Sequence, residues 1–205
     1  MPVSVMLCVP PQGYFAERWQ DSSMPSLGVL YMAACLQRAG IPVRTLPAFV
    51  LKLDIRQIVR IVEDEKPSIF GVTVTTENRL EAFDLARAVK RAVPQTIVVL
   101  GGPHCNATWL DTLTHIPEVD LVVSGEGEET IVELARAIEA GGGPGELAKV
   151  RGISYRLDGK VVFSGPRTKI AELDSLPMPA REMEDMALYN FHIDVPGKGK
   201  LPAAN

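Results

Sequence analysis

Residues 66–92, KPSIFGVTVTTENRLEAFDLARAVKRA, contain the pattern that decides the fold. Residues 69–74 form a short apolar run, which predicts a buried strand that begins just after Pro67. The next segment has apolar residues at helical spacing, which are Ala82, Leu85, Ala86 and Val89. This spacing predicts an amphipathic helix over about residues 77–92. A strand followed directly by such a helix is the repeating unit of a parallel sheet covered by helices.

The same alternation continues on both sides of this stretch through the first 140 residues. Further strands are predicted over residues 3–9, 42–46, 96–100 and 120–124. Further helices are predicted after Ser26 and after Asp54, each acting as an N-cap, and over about residues 129–139. Five strands joined by helical crossovers require a mainly parallel, doubly wound α/β sheet with helices on both faces. The strand orders 3-2-1-4-5 and 2-1-3-4-5 both fit this pattern.

A β-hairpin is predicted after the α/β unit, which ends in the glycine-rich segment 141–145. Residues 152–157 and 160–163 have the length and the alternation of two short strands. Asp158 and Gly159 between them are a residue pair that a two-residue type I′ turn prefers, because both positions need a positive φ. We therefore predict that the two strands pair with each other.

The last part of the chain is predicted to be a linker. From Asp174 onward it is rich in proline, methionine and charged residues, and residues 197–200 are typical of a flexible end. We therefore divide the chain into an α/β domain over residues 1–145 and a hairpin with a linker over residues 146–205. Such an ending is expected of the N-terminal part of a longer protein.

Composition and charge exclude several classes of protein. The 21 basic and 25 acidic side chains give a net charge of -4, which argues against a basic nucleic-acid-binding surface. No apolar run reaches the roughly 20 residues that a membrane-spanning helix needs. Cys8, Cys35 and Cys105 have no C-x-x-C spacing, which excludes a disulfide scaffold and an all-cysteine metal cluster within these residues. These features favour a reduced, cytoplasmic α/β protein with no metal site of its own.

Candidate binding residues follow the predicted strands, because open parallel sheets bind ligands beyond the carboxyl ends of their strands. The ends of strands three, four and five carry Thr73, Thr75, Thr76, Gly101, Gly102, His104, Gly125, Glu126 and Gly127. Each group also has an ordinary structural interpretation: glycine pairs form turns, loop histidines bond nearby carbonyls, and acidic residues favour a helix N-terminus. Together they supply hydroxyls, carboxylates, bare backbone and an imidazole. This combination predicts a large neutral ligand rich in amides rather than one dominated by phosphate.

Gly101 and Gly102 are expected to let such a ligand lie against the backbone, since glycine has no side chain. A valine at Gly102 would then occupy ligand volume directly and weaken binding. If the two glycines formed only a turn, the same substitution would lower stability without a specific effect on binding.

Several common sites of α/β proteins do not fit this sequence. A phospho-receiver needs acidic residues after strand one and an aspartate after strand three, where this chain has Pro10, Pro11 and Thr73. A flavodoxin-type FMN site needs a hydroxyl- and glycine-rich loop after strand one, which is missing as well. Gly125 and Gly127 lack the third glycine of an NAD-binding motif, and the acidic residues beside them would repel a pyrophosphate. The spacing supports no P-loop, Ser-His-Asp or Cys-His arrangement, and we assign no catalytic residue.

Taken together, the motifs resemble those of cobalamin (B12)-binding domains fused to radical S-adenosylmethionine (SAM) enzymes. Residues 25–34, PSLGVLYMAA, resemble the P-x-L-G-L-x-Y-L-A-A stretch of that family, and residues 66–73 resemble its P-D-x-V-G-I-S strand. Residues 101–104, GGPH, and residues 125–130, GEGEET, match its two most distinctive loops. The hairpin and residues 170–181 match the connector that follows in the family, so the resemblance covers nearly the whole chain.

The resemblance implies a flavodoxin-like (Rossmann-like) α/β domain that holds cobalamin at the carboxyl edge of its sheet. The residues implied to contact the corrin are Ser26, Leu27, Gly28, Thr73, Thr75, Thr76, Gly101, Gly102, His104, Gly125, Glu126 and Gly127. Many cobalamin proteins outside this branch use a D-x-H-x-x-G motif to place a histidine on the cobalt, and no Asp-x-His occurs here. The cobalamin is therefore expected to be bound base-off without such a histidine.

The resemblance also implies a barrel-like radical SAM domain whose C-x-x-x-C-x-x-C motif holds a [4Fe–4S] cluster and SAM. That motif is absent here and is expected beyond Asn205, so this part of the protein is expected to be non-catalytic by itself. The whole protein is expected to be a methyltransferase in which SAM methylates the cobalt and a 5′-deoxyadenosyl radical activates the substrate carbon. A cyclase or a ring-contracting enzyme has the same architecture. A second hypothesis is a degenerate α/β domain that binds no corrin and serves in docking or in shaping a substrate site.

Overall fold

A computed structural model describes residues 2–11, 24–189 and 192–202 of the chain. The main sheet has the strands β1 (Val5–Val9), β2 (Val43–Pro47), β3 (Ile69–Thr73), β4 (Ile97–Gly101), β5 (Leu121–Val123), β6 (Ile153–Leu157) and β7 (Lys160–Phe163). The helices are α1 (Leu27–Arg38), α2 (Ile55–Glu65), α3 (Arg79–Ala92), α4 (Pro103–His115), α5 (Glu128–Glu139) and the short α6 (Pro144–Leu147). A separate strand pair consists of β8 (His192–Val195) and β9 (Gly199–Pro202). Most of the long loop after β1 lies outside the described residues.

The main sheet has the strand order β2-β1-β3-β4-β5-β6-β7. Strands β1 to β5 are parallel, and β6 and β7 continue the sheet in antiparallel orientation. The parallel part therefore has the order 2-1-3-4-5, and the predicted flavodoxin-like class is confirmed. The chain leaves β1 toward β2 and leaves β3 toward β4, so the direction of winding reverses between β1 and β3. Sheets of this kind bind ligands at that switch point.

Helices cover both faces of the sheet because successive strand residues point into two different apolar layers. On one face Met6 and Phe70 pack with α2, α3 and α4. On the other face Leu7 and Val99 pack with α1 and α5. The predicted inward face of α3 is confirmed, since its buried residues are Ala82, Leu85, Ala86 and Val89. Among the described residues, no helix combines the length and the apolar composition needed to cross a bilayer.

The ends of the first two helices agree largely with the sequence signals. Asp54 caps α2 as predicted: its Oδ1 accepts from the Gln57 N–H at 2.8 Å, and its own N–H donates to Gln57 Oε1 at 2.9 Å. Gly40 has a φ of +73° and follows α1, as a C′ glycine does. Ser26 occupies the N-cap position of α1, but its side chain makes no capping hydrogen bond. The prediction of a side-chain cap at Ser26 is therefore wrong.

The predicted hairpin forms as β6 and β7. Asp158 and Gly159 have φ values of +50° and +75°, as a type I′ turn requires. The hairpin lies in the main sheet, because Val122 of β5 pairs with Ser154 of β6. The division of the chain at residue 145 stays a prediction.

Two parts of the structure differ from the sequence prediction. Helix α4 was not predicted, because its short polar residues Asn106, Thr108 and Thr112 are weak helix formers. Its start is fixed instead by Pro103, whose ring suits the first position of a helix. Residues 197–200, predicted to be a flexible end, form the turn and part of the second strand of the β8–β9 hairpin.

The segment that follows β7, residues 164–183, is called the connector below. It packs back onto α1 rather than leaving the domain directly. The Ala180 N–H donates to Leu30 O at 3.2 Å, and Ala180 is buried. Arg38 Nη1 donates to Ser175 O at 2.6 Å. The connector is therefore an ordered part of the fold along this helix.

Candidate functional site

A cavity of about 500 Å³ opens at the carboxyl edge of the sheet, on the face covered by α1 and α5. Its size is typical of small-molecule sites. Its floor consists of strand residues that face these two helices, which are Leu7, Gly71, Thr73, Val99, Gly101 and Val123. Met32 of α1 and Ile131 of α5 also line it. The cavity therefore includes the switch point between β1 and β3.

Glycines create much of this space. Gly71 and Gly101 lie on neighbouring strands and leave the sheet bare between α1 and α5. A Cβ at Gly71 would lie 2.9 Å from Leu7 Cδ2, whereas a Cβ at Gly28 would meet nothing within 4 Å. Gly71 was not among the predicted binding residues, although a glycine inside an apolar strand signals the close approach of another group. The cavity is thus a consequence of missing side chains at particular positions.

Most residues of the predicted binding set surround this one cavity. Nine of the twelve line it, and these are Ser26, Gly28, Thr73, Thr75, Gly101, Gly102, Gly125, Glu126 and Gly127. Leu27, Thr76 and His104 do not line it. The structure thus brings most of the set together, and the contact of each residue with a ligand stays a prediction.

His104 lies beside the cavity and bonds to the loop after β3. Its Nδ1 is 3.2 Å from Thr76 Oγ1, and its backbone N–H donates to Val74 O at 3.1 Å. Its ring centroid is 6.5 Å from that of Phe83. These contacts hold the first turn of α4 against the β3–α3 loop. The His104 ring, in the first turn of α4, therefore has a protein partner, the Thr76 hydroxyl.

Gly102 lines the cavity and is also constrained by its own backbone conformation. Its φ is +102°, a conformation that favours glycine. A Cβ there would lie 2.8 Å from Val74 O and 3.1 Å from Thr73 Oγ1. A side chain at this position would meet the backbone after β3 before it reached the open cavity. The expectation that a valine at Gly102 would occupy ligand volume stays a prediction, and the geometry adds a steric clash with the backbone after β3.

Asn78, which was not among the predicted binding residues, shapes the polar edge of the cavity near Thr75. It is only 2% exposed. Its Oδ1 accepts from the Thr75 N–H at 2.8 Å, and its own N–H donates to Thr75 Oγ1 at 3.4 Å. Its Nδ2 donates to Thr73 O at 3.5 Å. The Thr75 hydroxyl thus accepts one hydrogen bond and keeps its own proton for another partner.

The loop after β5 is held from two sides. Asn106 of α4 accepts a hydrogen bond from the Gly125 N–H at 2.8 Å. Glu126 Oε2 accepts from the Ile170 N–H of the connector at 2.6 Å. Glu126, predicted to bond amides of a ligand, therefore already has one protein partner. Its carboxylate retains capacity for more donors, because two ionised oxygens have about four acceptor positions.

The lining is apolar at the floor and acidic toward the α5 side. Within the described residues it contains Glu126 and Glu128 but no lysine, arginine or histidine. Glu128 Oε2 is buried and has no hydrogen-bond partner among the described residues. A buried acceptor without a donor costs about 1–3 kcal/mol. The site therefore favours a ligand that offers apolar surface and N–H or O–H donors, and it disfavours a ligand with several phosphates.

No nucleophile or metal centre can be assigned to the part of the chain that the structure describes. It contains no group of histidine, cysteine or acidic residues that could hold a metal ion. Burial raises the pKa of Cys105 to about 12, so its thiol stays protonated at neutral pH. Burial also raises the pKa of Cys8.

Comparison with known proteins gives a consistent set of relatives. A family model described as "B12 binding domain" matches residues 21–135. An uncharacterized methyltransferase of Pyrococcus horikoshii is 32% identical over 187 residues, which cover 91% of this chain and 40% of that protein. An anaerobic magnesium-protoporphyrin IX monomethyl ester cyclase of Synechocystis is 28% identical over 190 residues, which cover 92% of this chain and 37% of that protein.

Solved structures show the same fold. The cobalamin-dependent S-adenosylmethionine radical enzyme OxsB, with aqua-cobalamin and S-adenosylmethionine bound, matches with a TM-score of 0.73. The sequence identity is 20%, and the match covers 88% of this chain and 24% of that chain. At this identity the likeness concerns the fold alone. The chain spans about 40% of the length of the curated relatives described above.

Proposed function

Since the chain belongs to the family of B12-binding domains, we propose that it binds cobalamin in the cavity at the carboxyl edge of its sheet. One observation carries this proposal. The family match covers residues 21–135, and every residue that lines the cavity except Leu7 lies between Ser26 and Ile131, within that match. The segment that defines the family is thus the segment that builds the cavity.

The lining residues fit a corrinoid in their chemistry. Leu7, Val99 and Ile131 offer an apolar floor, and Gly28 leaves its part of the wall without a side chain. Glu126 and Glu128, whose Oε2 has no partner among the described residues, would accept hydrogen bonds from amide side chains of the corrin. The threonine hydroxyls could donate or accept such bonds. When bound, cobalamin supplies a cobalt centre that can carry a methyl group. The chain itself binds this group, orients it and excludes water from its apolar side.

The domain is proposed to bind cobalamin base-off and to leave the cobalt without a histidine ligand of its own. His104 follows the cavity residue Pro103 directly, yet it does not line the cavity and its ring is bonded to Thr76. Electron paramagnetic resonance of the Co(II) form should therefore show no nitrogen superhyperfine splitting on the axial lines. Splitting that disappears in His104→Ala would make His104 the lower ligand and reject this part of the proposal.

The whole protein is proposed to be a cytoplasmic B12-dependent radical SAM methyltransferase. The relative from Pyrococcus horikoshii that is named a methyltransferase supports this proposal, as does the shared fold with part of OxsB. The chain covers only 40% of the first protein and 24% of the second, which leaves room for another domain. SAM and a [4Fe–4S] cluster would then be held by another domain. The cyclase relative makes cyclase chemistry the alternative for the same architecture. The gene should encode a C-x-x-x-C-x-x-C motif after Asn205, and a stop codon there with no partner chain carrying the motif would reject the enzyme proposal.

A spectroscopic titration tests the cobalamin proposal directly. The purified chain should bind about one equivalent of hydroxocobalamin, seen as a change in the visible spectrum and as cofactor retained after gel filtration. FMN serves as the comparison ligand, since its terminal phosphate is close to dianionic and the described lining contains Glu126 and Glu128 but no basic residue. A degenerate docking domain predicts no retained cobalamin, and this result would favour that alternative.

A further inference from the structure

We propose that Glu126 couples occupancy of the cavity to the docking of the connector, so that ligand binding and connector position stabilise each other. Glu126 would act as a positioning residue for residues 164–183. This inference rests on the proposed cobalamin site, because it needs a ligand in the cavity.

The first observation is that Glu126 contacts both the cavity and the connector. Its side chain lines the cavity, and its Oε2 accepts from the Ile170 N–H at 2.6 Å. Ile170 is far from Glu126 in sequence but touches the cavity wall through this bond. A donor on the ligand that bonds the same carboxylate would fix the orientation of both oxygens. The hydrogen bond to Ile170 would then be formed with less loss of side-chain freedom.

The second observation is an arginine that anchors the connector three residues earlier. The Arg167 side chain is only 10% exposed, and its Nε donates to Thr130 Oγ1 at 2.8 Å. Its Nη1 donates to Glu129 Oε2 at 2.9 Å, and its Nη2 bonds Glu133. All three partners belong to α5, which forms one side of the cavity. Arg167 itself does not line the cavity.

The third observation is the path of the connector across the cavity edge. The Gly152 N–H donates to Gly165 O at 2.9 Å, and the Ser124 N–H donates to Gly152 O at 2.8 Å. The connector thus passes the carboxyl end of β5, just before the loop that carries Glu126. Farther on, Ala180 bonds to Leu30 of α1. The connector is therefore attached to both helices between which the cavity lies.

Linkage makes this coupling measurable in both directions. If a ligand strengthens the docking of the connector by some factor, a docked connector strengthens ligand binding by the same factor. A change at Arg167 should therefore alter cobalamin affinity although Arg167 is outside the cavity. Couplings of this kind are commonly about fivefold or more.

The test compares cobalamin titrations of the full chain and of three variants. Arg167→Ala should raise the Kd about fivefold or more, and Arg167→Lys should recover part of the loss because it keeps the charge. Arg87→Ala is the matched control, since it removes an arginine from an exposed pair with Asp84 on α3. A denaturant melt of each variant corrects the affinity for its folded fraction.

Hydrogen–deuterium exchange provides the readout that a purely structural role of Arg167 would not change. Cobalamin should slow exchange of the Ile170 amide in the unmodified protein and have no such effect in Glu126→Ala. The exchange measurement on the unmodified protein does not need the Arg167→Ala variant. It therefore tests the coupling even if Arg167→Ala does not fold. The coupling alone is overturned if the unmodified protein binds cobalamin and folded Arg167→Ala binds it with the same Kd. It is also overturned if cobalamin binds but does not change the exchange of the Ile170 amide. Failure of the unmodified protein to bind cobalamin rejects the proposed function and the coupling together.

Discussion

Replacing Gly28 with leucine should block the cavity without damaging the fold. Gly28 is the second residue of α1, and among the described residues a Cβ there meets nothing within 4 Å. Its φ lies outside the range that disfavours side chains, so the substitution carries no backbone strain. Leucine is also a better helix former than glycine by up to about 1 kcal/mol, which predicts unchanged or slightly higher stability. The new side chain would extend into the space proposed for cobalamin.

The expected loss of affinity follows from steric overlap. Forcing extra methyl or methylene groups into filled space costs about 1–3 kcal/mol. This corresponds to an increase in Kd of roughly 5- to 150-fold. The assay is a visible-absorbance titration with hydroxocobalamin, beside a urea melt that measures the free energy of unfolding.

A matched control is available at Gly145. It lies in α6, away from the cavity lining, and a Cβ there also meets nothing within 4 Å at an ordinary φ. Gly145→Leu should therefore bind cobalamin like the unmodified protein. Undiminished affinity in a well-folded Gly28→Leu protein would refute the placement of the ligand in this cavity. An equal loss in Gly145→Leu would show that the effect is not specific to the site.

Three further predictions concern stability. Gly102→Ala should destabilise the fold by at least about 1–2 kcal/mol in urea unfolding, because its φ of +102° disfavours a side chain and a Cβ would lie 2.8 Å from Val74 O; no loss would contradict both assignments. Arg156→Met should lower the free energy of unfolding by roughly 3 kcal/mol in the same assay. The reason is that Arg156 Nε donates to Leu113 O at 3.0 Å and its guanidinium also donates to carbonyls after α4. A loss under about 1 kcal/mol would contradict a stabilising role of these hydrogen bonds. Because an unfolded thiol ionises near its ordinary pKa of 9.0 whereas burial raises the pKa of Cys105 to about 12, the free energy of unfolding should fall as pH rises above about 9. Urea melts from pH 8 to 11 should show a smaller fall for Cys105→Ala than for the unmodified protein, and equal slopes would contradict the assignment.

The sequence was sufficient for the parts of the fold that periodicity controls. The apolar run at residues 69–74 and the helical spacing of α3 are local patterns, and the structure confirms both. The choice between the two strand orders depends on which strands pair, and no local pattern contains that information. Helix α4 escaped prediction because its stabilising contacts are tertiary, as with the buried Leu113.

The candidate site shows the same division between local and tertiary information. Glycines and hydroxyls at strand ends were predictable, because parallel strands end at one edge of a sheet. The contribution of Gly71 depends on its facing α1 and α5, and that of Asn106 on a helix that was not predicted. The closeness of Gly102 to the backbone of Val74 is tertiary information, because Val74 follows another strand.

A crystal structure of the protein with hydroxocobalamin would test the central proposal most directly. We expect difference density for a corrinoid in the cavity of about 500 Å³, in contact with Gly28 and Gly125 and within hydrogen-bond distance of Glu126. Well-ordered corrinoid density elsewhere, for example in the surface groove beside Arg38 and Arg136, with this cavity empty, would contradict it.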